Sequence, residues 1–322
     1  MYGAILGDII GSPYEWHPAY TKDFPLFRRR SHFTDDTVMT IAVAEALLKV
    51  SSLKEEEGLE LLKRAGMDIL DIDPIYLIES MQKWGQKYPR AGYGGKFSDW
   101  LVQENPKPYN SYGNGSAMRV SPAGWVHDRV GWTEAVAQWT AEVTHNHPEG
   151  IKGAQSVAAA ICMARLGKSK EEIKEYIESS FDYDLSRTID EIKPNYQFEV
   201  SCQKSVPESI IAFLESTDFE SAVRNAIWLG GDADTQAAIA GSIAEAFYGI
   251  PEDLITECRD RLPDEMIEVL DKFYDSIGGV KIDNTPKRKE KSPKSSNKMR
   301  PNRMDRFTWD AGDLKIIKPD EE

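Results

Sequence analysis

The sequence has few cysteines and no long apolar run, and both shortages narrow the possible classes of protein. Only three of the 322 residues are cysteines, and they are too widely spaced for a zinc site. Because no stretch of about 18 apolar residues occurs, no membrane-spanning helix is predicted. The first residues, MYGAILGDIIGSPYEW, lack a basic start and carry Asp8 within an apolar stretch, so a secretory signal is not expected. We therefore expect a protein of the reducing cytoplasm.

Basic residues are outnumbered by acidic residues, and they are unevenly distributed along the chain. The chain carries 39 Lys and Arg residues against 53 Asp and Glu residues, which gives a formal net charge of −14. This acidity disfavours non-specific binding to nucleic-acid phosphates or to anionic lipid. Residues 285–306 are the exception, because they hold nine Lys or Arg residues and two acids. The rest of the chain is therefore more acidic than the total indicates.

Helical spacing of apolar residues covers most of the chain, whereas strand patterns are few. DDTVMTIAVAEALLKV, for example, repeats its apolar residues every three or four positions. Asp73 is expected to cap a helix that starts at Pro74, and Pro207 is expected to start another. The small residues of GAQSVAAAI and AAIAGSIAEA predict close helix packing in a core, and YQFEVS is the best candidate strand. We predict an all-α, single compact domain of about a dozen helices.

The compact domain is predicted to span residues 1–283, followed by a different kind of segment at 284–322. NTPKRKEKSPKSSNKMRPNR has no apolar periodicity and has the composition of a linker. RFTWDAGDLKII then clusters apolar residues. We expect residues 285–305 to be mobile and residues 307–318 to dock on the domain or on a second copy of it. A wholly disordered extension, or a basic arm for an acidic partner, is the alternative.

Two short segments concentrate acids and hydroxyls where a loop enters a helix. FTDDTVMT has a threonine and two aspartates at positions 34–36, and GGDADTQ has two aspartates and a threonine between positions 232 and 235. Such residues commonly cap helices, but capping needs only one or two of them. If the two helix starts face each other, four carboxylates converge and repel. A bound divalent cation would remove the conflict, and oxygen ligands suit Mg²⁺ or Mn²⁺ rather than zinc.

Three further features could contribute to the same site. Glu15 lies just after a glycine-broken helix. NSYGNGSAMRVSPAGW is a loop entering a helix whose backbone amides could cradle a phosphate, although GNG is also ordinary turn chemistry. His145 and His147 have a spacing that could bind zinc, but no third and fourth ligand is evident. A helix cap is the simpler role for one of these histidines.

Five of these segments occur together and in order in one family. GAILGDIIGSPYE, FTDDTVM, YGNGSAMRVSP, THNHPEGIKGA and LGGDADTQAAIAG resemble the motifs of the ADP-ribosylglycohydrolases, which include dinitrogenase reductase-activating glycohydrolase and the vertebrate ADP-ribosylhydrolases. The resemblance runs from Tyr2 to Gly278 or nearby. It implies an all-helical fold with a dinuclear Mg²⁺ or Mn²⁺ cleft. It also implies hydrolysis of the glycosidic bond at C1″ of ADP-ribose attached to a protein side chain or small acceptor.

The resemblance further implies roles for individual residues. The metal ligands would be Thr34, Asp35, Asp36, Asp232, Asp234 and Thr235. Glu15 matches a glutamate near the scissile bond, and either Glu15 or a carboxylate beside the metals, such as Asp36, would transfer the proton. The loop around the diphosphate and proximal ribose would comprise Tyr112, Gly113, Asn114, Gly115 and Ser116. His145 would line the ADP-ribose cleft, and Asp8 is expected to be a structural hydrogen-bonding residue.

One segment departs from the family pattern. The nitrogenase-type members, which act on ADP-ribosyl-arginine, carry an aspartate in the loop that here reads AGYGGKF. No acid lies between Gly92 and Phe97, and this puts specificity for arginine in doubt.

Two other classes of function remain as alternatives. The chain could be an ADP-ribose-binding module without catalysis, although such a relative would be expected to lose the aspartates or Glu15. It could also be a helical metal phosphohydrolase of the H…HD…D kind, because His127 and Asp128 form an HD pair. That pair stands beside Gly131 rather than in the middle of a helix, and the chain has only five histidines.

Overall fold

A computed structural model describes residues 1–57 and 72–278, with the side chains of residues 52–57 left undescribed. Within these ranges the chain forms fourteen α-helices and two short 3₁₀ helices, and no strand. The α-helices are α1 (Tyr2–Gly11), α2 (Asp35–Glu57), α3 (Ile75–Lys87), α4 (Gly95–Trp100), α5 (Gly115–Met118), α6 (Val130–Glu142), α7 (Pro148–Arg165), α8 (Lys170–Phe181), α9 (Ile189–Ile192), α10 (Cys202–Leu214), α11 (Phe219–Leu229), α12 (Ala233–Tyr248), α13 (Glu252–Arg259) and α14 (Asp264–Ser276). The 3₁₀ helices are Ser121–Trp125 and Lys193–Asn195. The predicted all-α class is confirmed.

Helix α12 lies at the centre of the fold, where it packs against α1, α7, α10 and α11. Its residues 233–245 and all ten residues of α1 are buried. Glycines on α1 allow the two backbones to touch. A Cβ atom at Gly7 would lie 2.1 Å from the carbonyl oxygen of Ala237, and one at Gly11 would lie 2.5 Å from the Cα atom of Asp234. This close packing fixes the start of α12 against the end of α1.

Helix boundaries agree with the sequence in most places and differ in a few. Gly230 and Gly249 end α11 and α12 with positive φ angles of 81° and 75°, as helix-terminal glycines do. Helix α3 begins at Ile75, one residue later than expected, with Pro74 rather than Asp73 as its N-cap residue, although the Asp73 side chain accepts from the Ile75 amide at 3.0 Å. No helix in the described ranges is long and apolar enough to cross a membrane.

Two predictions about the segment before and within α10 are wrong. Pro207 lies inside α10, which begins five residues earlier at Cys202. YQFEVS forms no strand and contributes a single bridge, between Gly113 and Ser201. The two errors have one cause. The backbone of residues 200–202 is hydrogen-bonded to the loop of residues 112–114, and this pairing, rather than the proline, sets where the helix starts.

The predicted boundary near Asp283 and the expected docking of residues 307–318 lie outside the described residues and stay predictions.

Candidate active site

A cleft of about 460 Å³ opens where α2 and α12 begin. One wall carries acids and hydroxyls, and we call it the acidic wall. It consists of Glu15, Thr34, Asp35, Asp36, Asp232, Asp234 and Thr235. A second group of lining residues, which we call the loop wall, comes from segments 91–97, 109–119 and 198–200, together with His145. The structure therefore brings the two acidic segments of the sequence together, which meets the condition under which their carboxylates were expected to converge.

Asp8 of α1 holds the start of α2 in place. Its carboxylate accepts from the Thr34 amide at 2.8 Å, the Thr34 hydroxyl at 2.7 Å and the Thr37 amide at 3.0 Å, and also from the Thr37 hydroxyl. The Asp8 side chain is fully buried. Because both of its oxygens are engaged, Asp8 acts as the structural residue that the sequence predicted.

The start of α12 is shaped by two glycines and an asparagine. Gly230 and Gly231 have φ angles of 81° and 77°, a conformation that residues with a Cβ atom rarely adopt. Asn114 of the loop wall donates to Asp232 at 2.8 Å and so joins the two walls. Thr235 donates to Asp36 at 3.4 Å, which links the starts of α12 and α2.

The acidic wall places buried carboxylates in close contact. Single oxygens of Asp8, Asp36 and Asp234 lie within 4.8 Å of one another, and so do those of Glu15, Asp232 and Asp234. Burial, together with the repulsion of the neighbouring acids, raises the pKa of Asp36 and of Asp232 well above the ordinary value. The same two causes raise the pKa of Asp35 to about 8. Such a cluster has more negative charge than its surroundings can stabilise.

The donor set of this cluster fits divalent cations. The Oδ1 atom of Asp36 is buried and has no hydrogen-bond partner among the described residues. An unpaired buried carboxylate oxygen is costly, and a cation would satisfy it. Carboxylate and hydroxyl oxygens are the ligands that Mg²⁺ and Mn²⁺ prefer.

Glu15 belongs to the acidic wall and is partly exposed. Burial raises the pKa of Glu15 to about 7, the nearby Asp234 adds to this rise, and a hydrogen bond with the Trp16 side chain partly opposes it. A carboxyl group with a pKa near neutrality can both give and accept a proton, which suits general acid–base chemistry.

His145 is held as a neutral ring by a chain of hydrogen bonds. Arg119 donates to the Thr144 hydroxyl at 2.8 Å, and that hydroxyl lies 2.7 Å from Nδ1 of His145. The Thr144 hydroxyl accepts from Arg119, and we assign its proton to a hydrogen bond with Nδ1, which places the ring proton on Nε2. Burial, and secondly Arg119, lowers the pKa of His145 well below its usual value. The Nε2–H group is directed at the loop, where a Cβ atom at Gly115 would meet it at 3.2 Å.

The predicted diphosphate loop is brought to the cleft only in part. Gly113, Asn114 and Gly115 line it, whereas Tyr112 and Ser116 are not among its lining residues. Ser116 is fully buried and donates to the carbonyl of Gly150 at 2.7 Å. The amides of Gly113 and Asn114 already donate within the protein, so a phosphate cradle here would be built on the amides that follow.

The structure also places residues in the site for which the sequence analysis had no role. Arg119 and Thr144 orient His145, and Phe198 and Val200 line the cleft. Arg119 belongs to the motif YGNGSAMRVSP. Its role in orienting His145 is indicated by its complete burial, which the sequence alone does not show.

The structure decides between the alternative roles that the sequence left open for His147 and for the HD pair of His127 and Asp128. His147 caps α7 by accepting from the Glu149 amide at 3.1 Å, so it has the capping role predicted for one histidine of the pair. His127 and Asp128 lie between the first 3₁₀ helix and α6, and neither lines the cleft. The HD pair is therefore not the centre of a helical phosphohydrolase site.

The carboxylates that converge on one cleft of this helical domain form an acidic site that could hold a metal ion. The model of the ADP-ribosylglycohydrolase family matches residues 1–281, and the chain belongs to that family. It is accordingly an enzyme that hydrolyses the glycosidic bond of an ADP-ribose conjugate.

Three named relatives are similar over most of the chain. Human ADP-ribosylhydrolase ARH3 is 26% identical, with 80% of this chain and 87% of the relative covered. The ADP-ribosylarginine hydrolase Tri1 of Pseudomonas putida is 26% identical, with 78% and 70% covered. The ADP-ribosyl-[dinitrogen reductase] glycohydrolase of Rhodospirillum rubrum is 25% identical, with 78% and 84% covered.

A solved structure described as an ADP-ribosylglycohydrolase-related protein complex has the same fold. Its TM-score is 0.63 at 22% identity, and the match covers 85% of this chain and 94% of that one. At this level of identity the likeness concerns the fold alone.

Proposed function

We propose that this cleft removes ADP-ribose from a modified protein side chain or a small conjugate by hydrolysis at C1″, with two divalent cations, Mg²⁺ or Mn²⁺, as cofactors. The proposed ligands are Thr34, Asp35, Asp36, Asp232, Asp234 and Thr235. The observation that carries the proposal is the convergence of buried carboxylates in the cleft, where one oxygen of Asp36 has no hydrogen-bond partner within residues 1–57 and 72–278. Cations bound there would supply Lewis acidity and a template for the sugar hydroxyls.

The carboxylates of the acidic wall would stabilise positive charge on the ribose. Breaking the bond at C1″ gives the ring oxocarbenium character, and a nearby negative charge lowers the energy of that state. Asp36 is the proposed contributor, since it is almost fully buried and lies where both acidic segments meet.

Glu15 is the proposed proton carrier. As the bond to C1″ breaks, the leaving atom of the acceptor needs a proton, and water that adds to C1″ must lose one. Glu15 reaches the cleft and has a pKa of about 7, so its Oε atoms can hold that proton and exchange it.

The loop wall would bind and orient the ADP-ribose. His145 offers its Nε2–H group as a donor, and Gly113 and Gly115 leave the room that this donor needs. The amide of Gly115, which lines the cleft, is the candidate for contact with the diphosphate. Tyr112, which is half exposed beside the ring of His147, is a candidate contact for the outer part of the nucleotide.

The test is release of free ADP-ribose from defined substrates. The protein is incubated with peptides modified through arginine or through serine, and with O-acetyl-ADP-ribose, in millimolar Mg²⁺ or Mn²⁺ and in excess EDTA. We expect turnover of at least one substrate with either metal and a loss of turnover in EDTA. Full activity in EDTA would contradict the metal proposal. Binding of ADP-ribose without turnover of any substrate would instead indicate a binding module.

A further inference from the structure

The segment that carries Glu15 has no regular structure of its own. It joins α1 to α2, and residues 12–34 form neither helix nor strand. The Tyr14 amide still donates to the Gly11 carbonyl of α1 at 2.7 Å. We call residues 15–27 the Glu15 segment, and across it no backbone amide donates to another group of the described chain. Side chains from elsewhere must therefore hold this segment in place.

Arg224 of α11 anchors the Glu15 segment. Its Nη1 atom donates to the carbonyls of Lys22 and Phe24 at 2.8 and 2.7 Å. Its guanidinium also lies 4.9 Å from the centroid of the Phe24 ring. Glu220, one turn earlier on α11, pairs with Arg224 at 2.7 Å and orients it. One side chain, which is only 20% exposed, thus binds the segment through two carbonyls and a ring.

Two aromatic rings connect this anchor to Glu15. Phe24 is buried, and its ring packs on that of Tyr14 with the centroids 4.7 Å apart. The Tyr14 hydroxyl donates to the Pro25 carbonyl at 3.2 Å, so the two ends of the segment are tied together. Tyr14 directly precedes Glu15 in the chain. Losing the Arg224 contacts would therefore loosen the support of Glu15 without removing any side chain that lines the cleft.

Helix α11 also leads directly to the acidic wall. It ends at Leu229, and Asp232 follows three residues later. Single oxygens of Glu15 and Asp232 lie within 4.8 Å of each other. The same helix therefore supports both members of this contact, Asp232 through the chain and Glu15 through Arg224. This arrangement keeps Glu15 in a fixed position relative to the start of α12.

We propose that Arg224 is a positioning residue of the reaction, which holds the Glu15 segment on α11 and so keeps the Glu15 carboxyl group beside C1″. This inference rests on the proposed role of Glu15 as the proton carrier. Arg224 does not line the cleft, so it acts through Glu15 and not on the substrate. Misplacing a group that acts in the transition state lowers kcat, whereas ADP-ribose binding by the loop wall should persist.

Arg165 offers a matched control, because it makes the same kinds of contact away from the cleft. It donates to the carbonyls of Gly124 and His127 at 3.0 and 3.2 Å, and it is 18% exposed. Its guanidinium lies 5.1 Å from the centroid of the Trp125 ring. None of these residues lines the cleft. Arg165→Met and Arg224→Met should therefore lower Tm by similar amounts, and only the second should affect the reaction.

The first measurements are kcat and KM on an ADP-ribosylated peptide that the wild type hydrolyses, and the affinity for free ADP-ribose by calorimetry. Arg224→Met should lower kcat about tenfold or more, because Glu15 is misplaced. KM and the affinity should stay within about twofold, as should kcat of Arg165→Met. Arg224→Lys keeps a donor for one carbonyl but not the planar group, so it should recover part of the lost kcat.

A double mutant tests whether Arg224 acts through Glu15. The Glu15→Gln enzyme has no proton carrier left to misplace, so adding Arg224→Met should lower kcat by about twofold at most. A further tenfold loss would show that Arg224 acts by another route, and it would overturn the inference. Unchanged kcat in Arg224→Met, or normal turnover by Glu15→Gln, would also overturn it.

Proteolysis tests the anchor without any turnover. Trypsin cleaves after Lys22, at the peptide bond whose carbonyl Arg224 holds, and cleavage needs local opening of the segment. Mass spectrometry should show cleavage about fivefold faster in Arg224→Met than in the wild type or Arg165→Met, as for the loss of one hydrogen bond. Equal rates would overturn the inference and leave the proposed function intact. A wild type that turns over no ADP-ribosylated substrate would instead overturn the proposed function, and this inference with it.

Discussion

The two walls of the cleft are built in different ways. The acidic wall consists of helix starts, fixed by the backbone contact of α1 with α12 and by Asp8. The loop wall consists mainly of irregular segments, held by single hydrogen bonds such as Asn114 to Asp232 and Thr144 to His145. Helix packing holds the carboxylates of the acidic wall close together, whereas the loop wall supplies hydrogen-bond donors and aromatic rings to the cleft. We infer that the acidic wall carries the chemistry and that the loop wall carries the binding.

Removing one carboxylate of the acidic wall should have the largest effect. Asp36→Asn keeps the size of the side chain and takes away both a proposed ligand and the charge that faces the ribose. We expect turnover to fall about 10³-fold, at the upper end of the cost of one preorganised electrostatic group. Helix content, measured by circular dichroism, should not change.

Asp275→Asn is the matched control, because Asp275 is an exposed aspartate of α14. It should retain full turnover. If Asp36→Asn also retained most of its activity, the catalytic assignment of the acidic wall would be wrong.

The acidic wall is the part of the site that the sequence predicts well. Acids and hydroxyls at positions 34–36 and 232–235 exceed what capping needs, and this surplus can be counted without a structure. The small residues of α12 likewise predict close packing, and Gly7 and Gly11 on α1 meet it.

The loop wall could not be predicted in the same way. Its geometry depends on contacts between residues far apart in sequence, such as the Asn114 amide with the Val200 carbonyl at 2.8 Å. YQFEVS alternates like a strand, but its partner loop turns at once into α5, so only one bridge forms. The contact with the loop of residues 112–114, rather than the local sequence pattern, therefore determines the conformation of YQFEVS.

Glu15→Gln should reduce the rate of hydrolysis without reducing the affinity for ADP-ribose. The amide is the same size as the carboxyl group but cannot transfer a proton. We expect kcat to fall about 10²-fold. The affinity for ADP-ribose, measured by calorimetry, should stay within about twofold, a change smaller than that of one lost hydrogen bond. Normal turnover by this variant would leave Glu15 with a structural role only.

Thr144→Val tests the loop wall. Valine has the shape of threonine but cannot link Arg119 to His145, so Nδ1 loses its donor and the ring proton can move there. Nε2 would then face the cleft as an acceptor. We expect the affinity for ADP-ribose to weaken about tenfold, as for one lost hydrogen bond, while kcat changes little.

Thr144→Ser is the control, since it keeps the hydroxyl and should keep the affinity. The ¹⁵N shifts of the imidazole report which nitrogen carries the proton. An unchanged tautomer in Thr144→Val, or a fall in kcat alone, would contradict the role we assign to this wall.

The smallest expected effect is on thermal stability, and it tests the charge balance of the acidic wall directly. Burial and mutual repulsion raise the pKa of Asp35 to about 8, from an ordinary value of about 4 in the unfolded chain. Because the folded-state pKa is the higher one, the folded protein binds more protons between these values, and without a cation its stability falls as the pH rises. A cation takes the place of the protons, so the gain in Tm with millimolar Mg²⁺ should be larger at about pH 8 than at about pH 5.5. A gain of several degrees is expected at the higher pH, since binding at about 100 times Kd adds about 2.7 kcal/mol.

Asp36→Asn removes one of the repelling charges, so it should raise Tm in EDTA and reduce the gain with Mg²⁺. Scanning calorimetry at both pH values checks this, and a Tm gain that is absent, or equal at the two pH values, would show that the carboxylates of the acidic wall do not bind the cation.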